Sequence, residues 1–214
     1  MAVSTPSSPD LDQQILNSLD CPSTFTIPRT GRLIVFTGPS GVGKGTLLKA
    51  LRDRYPNLKL SISATTRQPR PGEVDGKDYY FVSREQFQTM VENGDLLEWA
   101  EFAGNFYGTP KTTVQQHLDE GEWIILEIEL EGARQVRHTF PQALQLFVLP
   151  PSLDELEQRI RQRGKDSEEA IVRRMARAQV EIDAAPEFDV QIVNDDLETA
   201  LQQLETTIFD TVEA

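Results

Sequence analysis

The chain has 214 residues, of which 38% are hydrophobic, and it carries a formal net charge of −13. A chain of this size can bury a complete core, and its negative charge argues against nonspecific binding to nucleic acid or to an anionic membrane. A single cysteine, Cys21, excludes a disulfide within the chain, and no apolar run of 18 residues indicates a membrane span, so a cytoplasmic location is expected.

The first 30 residues differ in composition from the rest. They contain four of the prolines, many serines and threonines, and Arg29 as their one basic residue. This composition predicts a flexible extension over 1–30, with a short helix over 12–19. From residue 31 to 214, strand and helix patterns alternate, which predicts one α/β unit.

The predicted elements follow in chain order. Apolar runs bounded by turn residues predict strands, and longer amphipathic segments predict helices. The predicted strands are 33–37, 60–65, 79–82, 97–102, 123–129, 145–149 and 191–194. The predicted helices are 44–55, 84–92, 111–120, 133–139 and 197–212, with a further helix that begins at Asp166 or Ser167.

The first strand runs directly into a glycine-rich loop that ends in Lys44. Its glycines allow backbone angles that other residues avoid, so successive N–H groups can converge on a phosphate at a helix N-terminus. Lys44 is expected to reach the β and γ phosphates of a nucleoside triphosphate. The predicted nucleotide-binding residues are Gly38, Pro39, Ser40, Gly41, Val42, Gly43, Lys44, Gly45 and Thr46.

One position in this loop departs from the usual pattern. The residue after the lysine is ordinarily Ser or Thr, whose hydroxyl binds Mg²⁺. Here that residue is Gly45, and the hydroxyl follows one position later. Thr46 is therefore the candidate for Mg²⁺, directly or through a water molecule.

A second phosphate site is predicted about thirty residues further on. Arg67 and Arg70 lie in a proline-containing segment that is held extended or turned, so both guanidinium groups are presented from a fixed loop. Tyr79 and Tyr107 supply two hydroxyls that can surround the same monophosphate. Without a ligand these would be exposed arginines and half-buried tyrosines, but a triphosphate loop in the same chain favours the phosphate site.

These segments resemble the guanylate kinase family in their order and spacing. The shared segments are the phosphate loop, 63–81, Leu97-Glu98-Trp99-Ala100, Tyr107-Gly108-Thr109 and 192–196, so the resemblance runs from about residue 31 to the C-terminus. It implies a P-loop NTPase-type α/β fold with a five-stranded parallel sheet and flanking helices. It also implies ATP-dependent phosphorylation of GMP, and of dGMP, by direct in-line transfer with Mg²⁺, in guanine nucleotide synthesis and recycling.

The resemblance further implies a division of the chain and a role for individual residues. The expected core comprises 31–66, 111–158 and 178–214, with a GMP-binding insertion at 67–110 and a lid at 159–177. The expected oligomeric state is a monomer or a homodimer. The implied ligands of the GMP phosphate are Arg67, Arg70, Tyr79 and Tyr107; those of guanine are Ser63, Glu98 and Thr109. The residues implied to act on ATP and the transferred phosphoryl group are Lys44, Arg67, Arg163 and Arg174, and Asn194 is expected near adenine.

The chemistry of Glu98 supports its part in this scheme. Guanine presents N1–H and N2–H₂ as adjacent donors, which one carboxylate can accept with both oxygens, whereas adenine presents a bare acceptor at N1. A buried carboxylate left without its partners would discriminate between the two bases by about 10⁴-fold.

Acidic residues follow the strand predicted over 123–129. Where related enzymes usually have Asp and Gln, this chain has Glu129 and Glu131. Carboxylates at the C-terminal end of a parallel strand lie in the ligand crevice of an open α/β sheet. The resemblance implies that Glu129 approaches the base or ribose of GMP.

Seven of the 21 Lys and Arg residues fall between 159 and 177. Arg163 and Arg174 are expected to face ATP, with Arg159 as a third candidate. Arg161, Arg173 and Arg177 are expected to be solvated, as are His117 and His138, for which no metal-site partner is expected.

Two other functions are compatible with parts of this pattern. The first is a kinase-like module that binds peptides and has lost catalysis, and the intact Gly43-Lys44 pair argues against it. The second is a phosphotransferase that acts on a phosphorylated sugar, which would need no guanine pocket. Ser63, Glu98 and Thr109 weigh against that possibility.

Overall fold

The computed structural model describes residues 30–162, 164 and 166–209. Most of the predicted extension, including the helix over 12–19 and Cys21, falls outside the described residues, as do Arg163, Lys165 and the end of the last predicted helix. Among the described residues, no helix is long and apolar enough to span a bilayer.

The described elements alternate along the chain. The strands are β1 (Arg32–Thr37), β2 (Lys59–Leu60), β3 (Ala64–Thr65), β4 (Tyr80–Phe81), β5 (Leu96–Phe102), β6 (Asn105–Pro110), β7 (Trp123–Glu127), β8 (Leu144–Leu149) and β9 (Val190–Val193). The helices are α1 (Lys44–Arg54), α2 (Arg84–Asn93), α3 (Lys111–Asp119), α4 (Leu130–Thr139), α5 (Leu153–Gln162), α6 (Glu168–Asp183) and α7 (Leu197–Phe209), with a 3₁₀ turn at Ala185–Glu187.

The main sheet has five strands in the order β2, β7, β1, β8, β9, and every pair of neighbours is parallel. Its central strands alternate between two apolar layers. Ile34 and Phe36 of β1 face one layer, whereas Leu33 and Val35 face the other. This arrangement buries the sheet on both faces, as a parallel sheet requires. The predicted five-stranded parallel sheet with flanking helices is confirmed.

The two layers are closed by different helices. The first layer contains buried leucines of α1 and α7, together with Leu156 of α5 and Ile171 of α6. The second contains Val114 of α3 and Val136 of α4. Because helices cover both faces, the C-terminal ends of the strands are left as the open edge at which ligands bind in such sheets.

A second sheet of four strands has the order β4, β3, β6, β5. The predicted strand over 60–65 is corrected here: Lys59–Leu60 joins the main sheet, whereas Ala64–Thr65 pairs with β4 and β6. The strand Asn105–Pro110 was not predicted. It forms a hairpin with β5 and pairs antiparallel with β3, and the non-local pairing with β3 brings Tyr107 beside Thr65, just before the two-arginine segment.

Candidate active site

The phosphate loop follows β1 and is shaped by three glycines. Gly38, Gly41 and Gly43 all have positive φ, at 147°, 99° and 102°. A Cβ on Gly43 would lie 2.5 Å from Nδ2 of Asn194, so position 43 needs glycine for space as well as for backbone angle. Gly45, by contrast, lies within the first turn of α1 and has no positive φ.

Lys44 is the first residue of α1, and its side chain turns back across the loop. Its Nζ donates to the carbonyl oxygens of Gly38 at 2.6 Å and Pro39 at 3.3 Å. The preceding Gly43 is the N-cap and provides no side-chain cap, so the helix N-terminus is left for an external anion.

A cavity of about 630 Å³ opens between this loop and the second sheet. It brings together both predicted phosphate sites and most of the predicted guanine site. The predicted residues that line it are Ser40, Gly41, Gly43, Lys44, Gly45, Thr46, Ser63, Arg67, Arg70, Tyr79, Glu98, Tyr107 and Glu129. Of the other predicted residues, Gly38, Pro39, Val42, Thr109, Arg174 and Asn194 lie outside its lining, and Arg163 falls outside the described part of the chain.

Four lining residues were not among the predicted ligands. They are Ala100, Phe102, Glu127 and Ile128. Ala100 and Phe102 follow Glu98 at alternate positions of β5, so strand periodicity could have identified them once Glu98 was assigned to the site. Glu127 ends β7, at the edge of the sheet where ligands are expected.

Arg67 occupies a half-buried position in the predicted monophosphate site. Its Nη2 donates to both oxygens of Glu73, at 2.8 and 3.0 Å, and its guanidinium carbon lies 5.3 Å from the ring centroid of Tyr79. The ring of Tyr79 lies edge-on to that of Tyr107 at 6.1 Å. Arg70 is exposed, and its backbone N–H also donates to Glu73. Glu73 therefore fixes the conformation of the loop that carries Arg67 and Arg70.

Glu98 also lines the cavity and is buried, with 5% of its surface exposed. Its Oε1 accepts a 2.6 Å hydrogen bond from Oγ1 of Thr109, which stands behind it on β6. Burial raises the pKa of Glu98 to about 7. The hydrogen bonds from Thr109 oppose this rise, whereas the nearby charge of Glu129 adds to it.

The Oε2 of Glu98 lies against a glycine of the neighbouring helix. A Cβ on Gly132 of α4 would overlap this oxygen, and φ at Gly132 is not positive. Gly132 therefore provides space for the carboxylate and is not required for its backbone conformation.

The raised pKa of Glu98 predicts a pH dependence. Between pH 4.5 and about 7, the folded protein holds a proton that the unfolded chain releases, so the contribution of this carboxyl to folding stability falls as the pH rises through that window. Guanine needs the ionised form, because a protonated carboxyl would set an O–H donor against the donors of the base. We expect the KM for GMP to rise about tenfold between pH 8 and pH 6.

The phosphate of GMP also titrates near pH 6, so the measurement needs an internal reference. The ratio of the KM of the wild type to that of Glu98→Gln, taken at each pH, removes the effect of the ligand's own titration. A ratio that stays constant from pH 8 to pH 6 would show that Glu98 does not titrate in this range.

One residue of the predicted lid, Arg174, contacts the phosphate loop directly. Nη2 of Arg174 donates to Oγ of Ser40 at 2.9 Å, while its Nη1 pairs with Asp166. Ser167 caps α6 by accepting from the backbone N–H of Ala170 at 3.3 Å. Arg174 thus already stands at the loop that would hold the phosphates of ATP.

A smaller cavity of about 420 Å³ lies on the other side of the phosphate loop. It is lined by Arg159, Thr46 and Asn194 among others. Nδ2 of Asn194 donates to the carbonyl of Val42 at 2.8 Å, and the backbone oxygen of Asn194 accepts from Nη1 of Arg159 at 3.0 Å. Asn194 therefore braces the phosphate loop as well as lining this second cavity.

The three arginines of 159–177 that were expected to be solvated differ in their contacts. Arg161 pairs with Glu157 and Glu168 at the surface, and Arg173 is exposed without an ion pair to another described residue. The prediction that Arg177 is only solvated is wrong, because it contacts Glu129, Glu181 and the ring of Phe102.

The acids after β7 separate into two groups. Glu127 and Glu129 line the main cavity, whereas Glu131 faces away and pairs with Arg134. Glu127 is open to the cavity but surrounded by protein, which raises its pKa, while the ammonium of Lys44 lowers it. The carboxylate of Glu127 and the hydroxyl of Thr46, which line the same cavity as Lys44, are hard oxygen donors of the kind that Mg²⁺ prefers.

His117 also differs from its prediction as a surface residue with no metal-site partner. It is half-buried, and its Nδ1 lies 2.5 Å from a carboxylate oxygen of Glu122, with Glu120 close enough to share a cation. The ammonium of Lys59 already lies 3.1 Å from Glu122, so the group is a charge network in this structure.

Comparison with known proteins identifies the family of this chain. The sequence model of the guanylate kinase family matches residues 30–211. A guanylate kinase from Thermosynechococcus vestitus is 66% identical over 186 residues, which cover 87% of this chain and 97% of the relative. One from Nostoc sp. is 58% identical over 196 residues, covering 92% and 98%. The crystal structure of guanylate kinase from Anaplasma phagocytophilum matches with a TM-score of 0.70 and 32% identity, covering 86% of this chain and 88% of that one. From its motifs to its fold, this chain belongs to the guanylate kinase family.

Proposed function

We propose that this chain transfers the γ-phosphoryl group of ATP directly to the phosphate of GMP, giving ADP and GDP, with Mg²⁺ accompanying ATP. The guanylate kinase activity itself, predicted from the motifs, is confirmed by relatives that are 58% and 66% identical over most of the chain. Direct in-line transfer, the participation of Mg²⁺ and the acceptance of dGMP are proposed in addition.

One observation carries the proposal. A single cavity joins Lys44 of the phosphate loop to the two-arginine segment and to the buried carboxylate of Glu98. A phosphoryl donor at the loop and a guanine held by Glu98 would therefore place the acceptor phosphate between Lys44 and Arg67. Such an arrangement lowers the barrier by orienting the two substrates and by stabilising charge, without a covalent intermediate.

Each group would have a distinct part in this transfer. Lys44 would leave the carbonyls of Gly38 and Pro39 for the charged oxygens of the triphosphate, which are stronger acceptors. Arg67 would hold the acceptor phosphate in place of Glu73, and Arg174 would add charge from the lid. Thr46 and Glu127 would hold Mg²⁺, which when bound would supply positive charge to the phosphates.

The division of the chain remains as proposed from its sequence, with an insertion at 67–110 and a lid at 159–177. The second sheet supports the first assignment, since three of its four strands come from 67–110. The contact between Arg174 and Ser40 supports the second. A cytoplasmic location and a monomeric or homodimeric state are also proposed.

A substrate panel tests the function. ADP release is measured with ATP and Mg²⁺ against GMP, dGMP, AMP, CMP and UMP, and is repeated with excess chelator. We expect turnover with GMP and dGMP only, at least about 10³-fold above AMP in kcat/KM, and none with chelator.

The alternatives give different results in the same panel. Activity with AMP within tenfold of that with GMP would remove the guanine role of Glu98. Binding of both nucleotides by isothermal titration without ADP release would identify a module without catalysis. Turnover only with a phosphorylated sugar would identify the other phosphotransferase class.

A further inference from the structure

Arg177 of α6 connects three segments that are far apart in the sequence. Its Nε donates to Oε1 of Glu181 at 2.8 Å, and its Nη2 donates to Oε2 of Glu129 at 3.2 Å. Its guanidinium carbon also lies 4.6 Å from the ring centroid of Phe102. One side chain thus links the lid helix to the turn after β7 and to the second sheet.

Arg177 is anchored by Glu181, a carboxylate that is unusually buried for a residue near the surface. The side chain of Glu181 is only 6% exposed, and its Oε2 has no hydrogen-bond partner among the described residues. Burial raises the pKa of Glu181, whereas the hydrogen bond from Arg177 lowers it. A buried carboxylate is costly unless it is paired, so this contact fixes Arg177 more firmly than an exposed ion pair would.

Both other contacts of Arg177 belong to the wall of the main cavity. Glu129 and Phe102 line that cavity, although Arg177 does not. The ring of Phe102 also lies edge-on to Tyr107, 6.5 Å away, in the predicted monophosphate site. Any shift of Arg177 would therefore be passed to the acceptor side through an acid and a ring.

The charge of Glu129 is a second reason why its contact with Arg177 matters to the cavity. Burial is the main cause that raises the pKa of Glu98, Glu127 and Glu181, and the negative charge of Glu129 adds to the rise at each of them. Arg177 is the cation paired with Glu129. Without it, Glu129 would repel these carboxyls more strongly, and its carboxylate would be free to turn.

We propose that Arg177 is a positioning residue for the acceptor substrate: it holds Glu129 and Phe102 in place, so that the affinity for GMP depends on a side chain outside the cavity. The proposal rests on GMP being the acceptor. It does not place Arg177 in contact with either nucleotide.

Steady-state kinetics of Arg177→Gln test this role, with Arg173→Gln as the matched control. Arg173 lies on the same helix, is exposed and has no ion pair with another described residue. Its variant therefore makes the same change of charge without breaking a contact of this kind. We expect Arg177→Gln to raise the KM for GMP about fivefold to tenfold, while kcat and the KM for ATP change less than twofold. Arg177→Lys should recover only part of this loss, because an ammonium lacks the planar fork that reaches two carboxylates.

A double-mutant cycle identifies the path. If Arg177 acts through Glu129, then Arg177→Gln should change the KM for GMP less than twofold when Glu129 is already glutamine. The same increase in both backgrounds would overturn the path through Glu129. An unchanged KM for GMP, or equal losses for both substrates together with a lower Tm, would overturn the positioning role itself. Failure of the wild type and the Arg173 variant to phosphorylate GMP would instead refute the proposed function.

Discussion

Replacing Lys44 by alanine should lower kcat by about 10³-fold or more and leave the fold intact. The ammonium is the only lysine group that lines the cavity, within the described residues, and it would act on charge that develops during phosphoryl transfer. In this structure its hydrogen bonds go to loop carbonyls, so its removal breaks no ion pair among the described residues.

Lys49→Ala is the control for Lys44→Ala. Lys49 lies on the same helix and forms an exposed pair with Asp53, so its loss should change kcat less than twofold. Circular dichroism and Tm should be equal for both variants and the wild type. Near wild-type turnover by a correctly folded Lys44 variant would refute the role of this lysine.

Replacing Glu98 by glutamine should lower kcat/KM for GMP by about 10³-fold to 10⁴-fold, with little gain for AMP. Thr109 donates to Oε1 of Glu98, so a glutamine that keeps this bond would turn its NH₂ group toward the donors of guanine. Adenine would still lack the remaining contacts that a new base needs.

The thermal stability of Glu98→Gln distinguishes a lost contact with guanine from unfolding of the variant. Because burial raises the pKa of Glu98 to about 7, its ionised form opposes folding above that pH, and the neutral amide removes this cost. The Glu98 variant should therefore be at least as stable as the wild type at pH 8, as measured by thermal unfolding. Glu101→Gln, at an exposed position of the same strand, should leave both stability and kinetics unchanged. A fall in Tm that parallels the loss of activity would contradict the proposed cause.

The main sheet could be predicted because its signals are local. The apolar run of β1, followed by glycines and Lys44, specifies a strand, a loop and a helix within about twenty residues. The second sheet could not be predicted in the same way. Ala64 pairs with Gly108 across more than forty residues, and the strand Asn105–Pro110 contains Gly and Pro, which strands usually avoid.

The residues of the candidate site also divide into those with a local sequence signal and those placed by tertiary contacts. Lys44, Arg67 and Glu98 belong to motifs with a recognisable spacing, and all three line one cavity. Arg177 belongs to no such motif, and the helical pattern of α6 places it with exposed residues. Its contact with Glu129 joins positions 48 residues apart, so only the tertiary structure reveals it.

The space at Gly132 has a consequence for engineering this enzyme. A glycine inside a helix normally costs about 1 kcal/mol relative to alanine, and its replacement is a standard route to higher thermal stability. At position 132 that route would place a methyl group on the oxygen of Glu98. The enzyme thus gives up some helix stability to keep room for a carboxylate, and a heat-resistant variant should be sought through other positions.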